Sequence, residues 1–126
     1  MSAQTPDQLH SLFLDAFNRG NVEAVLALYE PAACLIPQPS QAVRGQQAIR
    51  NALQQFMALH GRMTMSTTYV VLTDDLALLR GQWTLTGIGP DGKAVEMVGD
   101  SVEVARRQPN GDWLFAIDHP FGAGRS

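Results

Sequence analysis

The apolar residues of this chain change their period near Gly61, and that change limits its fold more than any other feature. Before it they recur every three or four positions, and after it they alternate. The second half reads as strands in "MTMSTTYVVLTDD", "LALLRGQWTLTGIG", "AVEMVGDSVEVARRQ" and "DWLFAIDHP". Asp74-Asp75, "GPDGK" and "PNGD" separate them, and Asp-Gly and Asn-Gly are strong hairpin signals. Connections this short leave no room for crossover helices, which predicts an antiparallel sheet.

The first half predicts helices. In "TPDQLHSLFLDAFNRG", Thr5 stands as N-cap, Pro6 in the first helical position and Gln8 as the capping-box partner. Leu9, Leu12, Phe13, Ala16 and Phe17 follow at helical spacing, and Gly20 stops the helix. Asn21 caps a second helix, "VEAVLALYE", ended by Pro31. "AACLIPQPS" is a brief apolar run followed by a proline-rich turn, and Gly45 precedes a third helix, "QQAIRNALQQFMALHG". With no repeat or linker, residues 1–126 form one α+β domain, helices first and a curved antiparallel sheet after.

Two-residue loops at Asp91-Gly92 and Asn110-Gly111 set a register. Trp83 then faces Asp100, Leu85 faces Val98 and Leu79 faces Val104, while Val104 faces Ile117 and Val102 faces His119. Val98, Val102 and Val104 share a face that turns inward, and it carries Asp100 with it. Asp100 lies between Trp83 and Phe121, with His119 as its diagonal neighbour, roughly 7–8 Å away at the backbone. A carboxylate between sheet and helices is poorly solvated, so its pKa rises unless a cation or several donors hold it. Such a group is a hydrogen-bond donor or a general base near neutrality. The competing role is a buried acid bonded to the Trp83 indole or to loop amides. His119 is either its partner or a rim residue, and Asp118, alternating to the other face, reads as a surface or turn residue. Phe13, Phe17, Tyr29, Met57, Trp83 and Phe121 line either a plain core or a pocket for an apolar ligand.

The composition removes several classes of function. A net charge of −3 and the absence of a basic cluster beyond Arg106-Arg107 argue against nucleic acid. His10, His60 and His119 lack metal-ligand spacing, so neither a metal nor another cofactor is implied. Cys34 is the single cysteine and reads as a small buried thiol in a reducing compartment. With no apolar run of membrane-spanning length and no leader-like N-terminus, the expectation is a cytoplasmic protein without membrane contact.

"LFLDAFNRGNVEAVLALYEPAACL", "VRGQQAIRNALQQF", "LALLRGQWTL" and "VEVARRQPNGDWLFAIDHPFG" together resemble the SnoaL-like, nuclear transport factor 2-like superfamily, which includes ketosteroid isomerase. The resemblance implies a cone, with a strongly curved sheet around three N-terminal helices, a pocket at the open end and a homodimer formed through the sheet. It matches Asp100 to the isomerase's oxyanion-hole aspartate. Phe13 stands where the isomerase has a tyrosine, and Pro37 about where its general base would be, so steroid isomerisation by that mechanism is not expected. The expectation is a pocket protein for a small apolar molecule, a proton-transfer enzyme of isomerase, cyclase or hydratase type acting on a carbonyl-bearing substrate. Asp100 and His119 would be its catalytic residues. The alternative is a non-catalytic ligand-binding or dimerisation module.

Overall fold

The computed structural model describes residues 2–38 and 40–123. Its helices are α1 (Gln8–Asn18), α2 (Val22–Leu26) and α3 (Gln46–Met57). Its strands are β1 (Tyr29–Gln38), β2 (Gln41–Arg44), β3 (Arg62–Thr73), β4 (Leu76–Ile88), β5 (Ala94–Arg107) and β6 (Trp113–His119). The strands form one sheet in the order β2-β1-β6-β5-β4-β3, and the helices cover one of its faces. Helices packed on a curved, unclosed sheet are the expected α+β architecture.

The first helix begins later than its cap signal suggests. Thr5–Asp7 form a turn in which Thr5 and Pro6 carbonyls accept from Gln8 and Leu9, and Gln8 reaches back to the Gln4 amide at 2.7 Å. Asn21 caps α2 as expected, its side chain accepting from the Ala24 amide at 3.0 Å. The second helix is shorter than predicted, however, because Glu30 precedes a proline and is biased to extended backbone. Tyr29 already belongs to β1. The run expected to be a short apolar segment and a turn is instead the β1–β2 hairpin, although Pro39 of that turn lies outside the described residues. Pro31 is accommodated where the β1–β6 register shifts between Tyr29 and Cys34. Because β1 runs parallel to β6, the sheet is mixed, a correction to the antiparallel expectation. Short loops dictate only how sequence neighbours pair, and β1 and β6 are remote in sequence. Cys34, on β1, is half-buried rather than buried.

The largest correction concerns the two hairpin loops. Each holds three residues, not two. Gly89 N–H donates to Lys93 C=O at 2.9 Å, and Gly92, at φ 78°, closes a turn onto Gly89. Gly111, at φ 91°, plays the same part between Gln108 and Asp112. A turn followed by a left-handed glycine is the usual three-residue hairpin, and it displaces the partner strand by one position. Trp83 therefore faces Gly99, Leu85 faces Met97 and Leu79 faces Glu103. A one-residue slip turns every side chain of β5 to the other face. Val98, Val102 and Val104 point outward, and Gly99, Ser101, Glu103 and Ala105 point in. In the β5–β6 pair the register shifts between Val104 and Ala105, with Ala116 as the extra residue. That bulge restores Val104 opposite Ile117 and Val102 opposite His119, as predicted, but on the outer face.

The core lies between the inner face and the helices. Leu9, Ile49, Leu53, Leu79, Leu85 and Phe115 are almost fully enclosed there. Burial of each stabilises the fold by about 1.5–3 kcal/mol. Among the described residues, no helix is long and apolar enough to cross a membrane.

Candidate functional site

Helix α1 carries His10 on the stripe that holds Phe13 and Phe17, three and seven residues further on, so its imidazole points down onto the sheet. Beneath it runs a row of small residues, since Gly81 is paired with Thr67 on one side and Ser101 on the other. A Cβ on Gly81 would lie 3.1 Å from both His10 Cε1 and Ser101 Oγ, so the glycine makes room for the ring. The imidazole is bonded at both nitrogens, Nδ1 to Thr67 Oγ1 at 2.8 Å and Nε2 to Glu103 Oε1 at 2.9 Å. His10 is only 4% exposed and Glu103 only 3%.

The next row of the inner face carries the charge. Leu79 faces Glu103, and Glu103 faces Asp118 across β5 and β6. Asp118 is 5% exposed and accepts a 2.5 Å hydrogen bond from the Tyr29 hydroxyl. Burial pushes its carboxyl up to about 7, and the neighbouring Glu103 charge adds to that rise, while the Tyr29 bond and His10 oppose it. Burial likewise drives the Tyr29 phenol well above its ordinary value, with the Asp118 charge next in effect. Tyr29 is therefore a fixed donor, whereas Asp118 sits between acid and base near neutral pH.

His10, Glu103 and Asp118 border a cavity of about 40 Å³. That is room for a few water-sized groups. His10, Ser101, Glu103 and Asp118 form its polar wall; Phe13, Phe17, Leu53, Met63, Trp83 and Phe115 are among its apolar ones. The Trp83 indole donates to the Pro120 carbonyl at 2.8 Å, and Phe121 packs edge-on to it with centroids 5.2 Å apart. Gly99 lies flat under this indole, where a Cβ would come within 2.5 Å of Trp83 Nε1. Gly99→Ala is therefore expected to cost about 1–3 kcal/mol through overpacking. Chemical denaturation would measure that loss, and shifted indole fluorescence would report the displaced ring.

The predicted site residues divide between the two faces. Phe13, Phe17 and Trp83 line the cavity, and Tyr29 reaches it through Asp118. Met57 and Phe121 are half-buried and pack against the core around it. Asp100 and His119 are on the outer face, opposite Gln82 and Val102 respectively, and both are half-buried. This corrects the inward placement of Asp100. Its backbone carbonyl accepts from the Ala123 amide, while the Trp83 N–H goes to Pro120. Asp118, expected at the surface, is instead the inward acid of β6. His10, Glu103 and Ser101 were also missed. A signal existed for His10, which shares its stripe with two phenylalanines, but the valine pattern on β5 pointed to the wrong face.

The SnoaL-like domain family model matches residues 11–115. No curated protein matches the sequence. Among solved structures, the chain is similar to a ketosteroid isomerase-like protein from Erwinia carotovora atroseptica SCRI1043. The two are 22% identical with a TM-score of 0.79, covering 89% of this chain and 88% of that one. It is also similar to a candidate dehydratase of the NTF2-like family from Streptomyces avermitilis, at 20% identity and a TM-score of 0.73, covering 89% of both chains. A third is a candidate calcium/calmodulin-dependent protein kinase II association domain from Xanthomonas campestris. It is 25% identical with a TM-score of 0.72, covering 88% of this chain and 80% of that one.

Proposed function

The chain belongs to the SnoaL-like domain family, and on that footing we propose that it is a small-molecule pocket protein that moves protons on a compact, apolar, carbonyl-bearing substrate. The observation that carries this is the convergence of His10, Ser101, Glu103 and Asp118, the last held by Tyr29, on an otherwise apolar cavity. Buried charge in an apolar wall costs stability unless it is paired, and sites that keep it are where acid–base chemistry is found. Protonated, Asp118 donates a hydrogen bond to a carbonyl oxygen and stabilises an enolate as it forms. Ionised, it takes a proton from the carbon beside that carbonyl, and its pKa of about 7 suits both duties near neutrality. Isomerisation, cyclisation and loss or addition of water all use this pair of steps.

A thermal-melt screen of small apolar carbonyl compounds tests the proposal, with wild type, Asp118→Asn and Asp100→Asn side by side. A ligand at a hundredfold excess over its Kd adds about 2.7 kcal/mol, which a melt resolves. Stabilisation that survives Asp100→Asn and disappears in Asp118→Asn is the expected outcome. Stabilisation that depends on neither acid, or none in any variant, would remove the proposal.

A second reading, an association module, is favoured by the outer face of the sheet. Tyr69, Val71, Leu78, Val98 and Ile117 are exposed there by between 36% and 53%. A patch of this kind fits a second copy packed through the sheet, and the two readings are compatible. Sedimentation at micromolar concentration would reveal the dimer, and a charged substitution at Val98 would dissociate it.

A further inference from the structure

The buried acids must exchange protons with water, and the described residues offer a polar passage for this beside α1. A second, open cleft lies on the far side of α1, between that helix and β3, bordered by Ser11, Asp15, Asn18, Arg19, Arg62 and Thr67. His10 and Met65 border both this cleft and the buried cavity. They are its partition. Methionine carries no exchangeable proton, whereas His10 has one ring nitrogen bonded toward each side.

We infer that His10 is a proton shuttle between the cleft and the Glu103–Asp118 pair, and that the Thr67 hydroxyl is the positioning and relay residue at its outer end. The inference rests on the acid–base reading of the same site. With Glu103 ionised, Nε2–H donates to it, and Nδ1 accepts from the Thr67 hydroxyl. For inward passage, Thr67 gives its proton to Nδ1 and takes another from water in the cleft. Nε2 then releases its proton to the Glu103 carboxylate, and Glu103 passes a proton on to the Asp118 carboxylate that it faces across the strands, becoming ionised again. The ring is left protonated at Nδ1, and the outward passage restores it. Only O–H and N–H bonds form and break, and no electrons are exchanged.

The charged surroundings suit this passage. On the cavity side, His10 meets Glu103 from β5, with Asp118 and its donor Tyr29 beyond. On the cleft side, Asp15 and Arg19 on α1 are paired with each other, and Arg62 stands exposed on β3. Thr67 is itself exposed and borders the cleft, which puts its hydroxyl between the cleft and the ring.

The test is a rapid jump from alkaline to mildly acidic pH, followed by infrared absorption of the protonated carboxylic acid. Asp118→Asn identifies the Asp118 band by its loss. Thr67→Val is expected to slow its appearance about tenfold or more with the midpoint unmoved, and Thr67→Ser is expected to restore the rate. A merely structural Thr67 would leave the rate alone, whatever its substitution cost in stability. An unchanged rate in Thr67→Val would send the proton by another route and overturn the shuttle. A band that never titrates would overturn the shuttle and the acid–base reading together.

Discussion

Asp118→Asn is expected to make the protein more stable than wild type above pH 7 and nearly equal to it at pH 4. The folded-state pKa of Asp118 is about 7, against an ordinary value of 3.8. The native state therefore binds more protons than the unfolded chain between about pH 4 and 7, and stability falls as pH rises through that window. Such a rise corresponds to a few kcal/mol, at ~1.4 kcal/mol per pH unit. Asparagine keeps an acceptor for the Tyr29 hydroxyl and removes the charge that burial and Glu103 penalise. Urea titrations of both proteins at several pH values would show the difference between them growing toward alkaline pH. Parallel curves would mean that Asp118 does not titrate in this range. If a substrate is found, the same variant is expected to lose about 10²–10⁴-fold in turnover, because a group that cannot exchange a proton replaces one that does. Higher stability together with lost turnover is the signature of a destabilised functional group, which a purely architectural acid would not produce.

His10→Leu is expected to be the most damaging single change at the site, costing about 3–5 kcal/mol. It leaves the Glu103 carboxylate, 3% exposed, without its imidazole partner and facing Asp118. Removing one member of a buried pair strands the other, and this costs more than removing both. The double variant His10→Leu/Glu103→Leu is therefore expected to recover much of the loss, with a coupling of about 2 kcal/mol or more in a double-mutant cycle. Additive losses would show that the two side chains do not depend on each other. Thr67→Val, which removes a single partly exposed hydrogen bond to the same ring, should cost about 1 kcal/mol or less.

The class of the fold was legible because it depends on local signals. The period change near Gly61, the Asn21 cap and the Gly20 stop each act within a few residues; the cap and the stop hold in the structure, and the period change marks the start of four of the six strands, β1 and β2 preceding it. The site was less legible, for one reason. Two-residue and three-residue loops at Asp-Gly and Asn-Gly use the same residues, yet they give opposite faces to the strand that follows. Three-residue loops aim Glu103 inward and carry Asp100 out. The valine pattern could not correct the choice, because Val98 and its neighbours form an apolar outer face as well.

The chain by itself determined the first and third helices, the four late strands and that these strands pair in sequence. It also placed Phe13, Phe17 and Trp83 at the cavity. Only the tertiary structure decided that Glu103 and not Asp100 turns inward, that Asp118 stands beside it, and that His10 and Tyr29 hold the two. Those contacts join α1 to β5 and β1 to β6, residues 93 and 89 positions apart. Local propensity carries no information across such spans; the packing of the helices on a twisted sheet, and one glycine in each hairpin, bring the four groups to a common point.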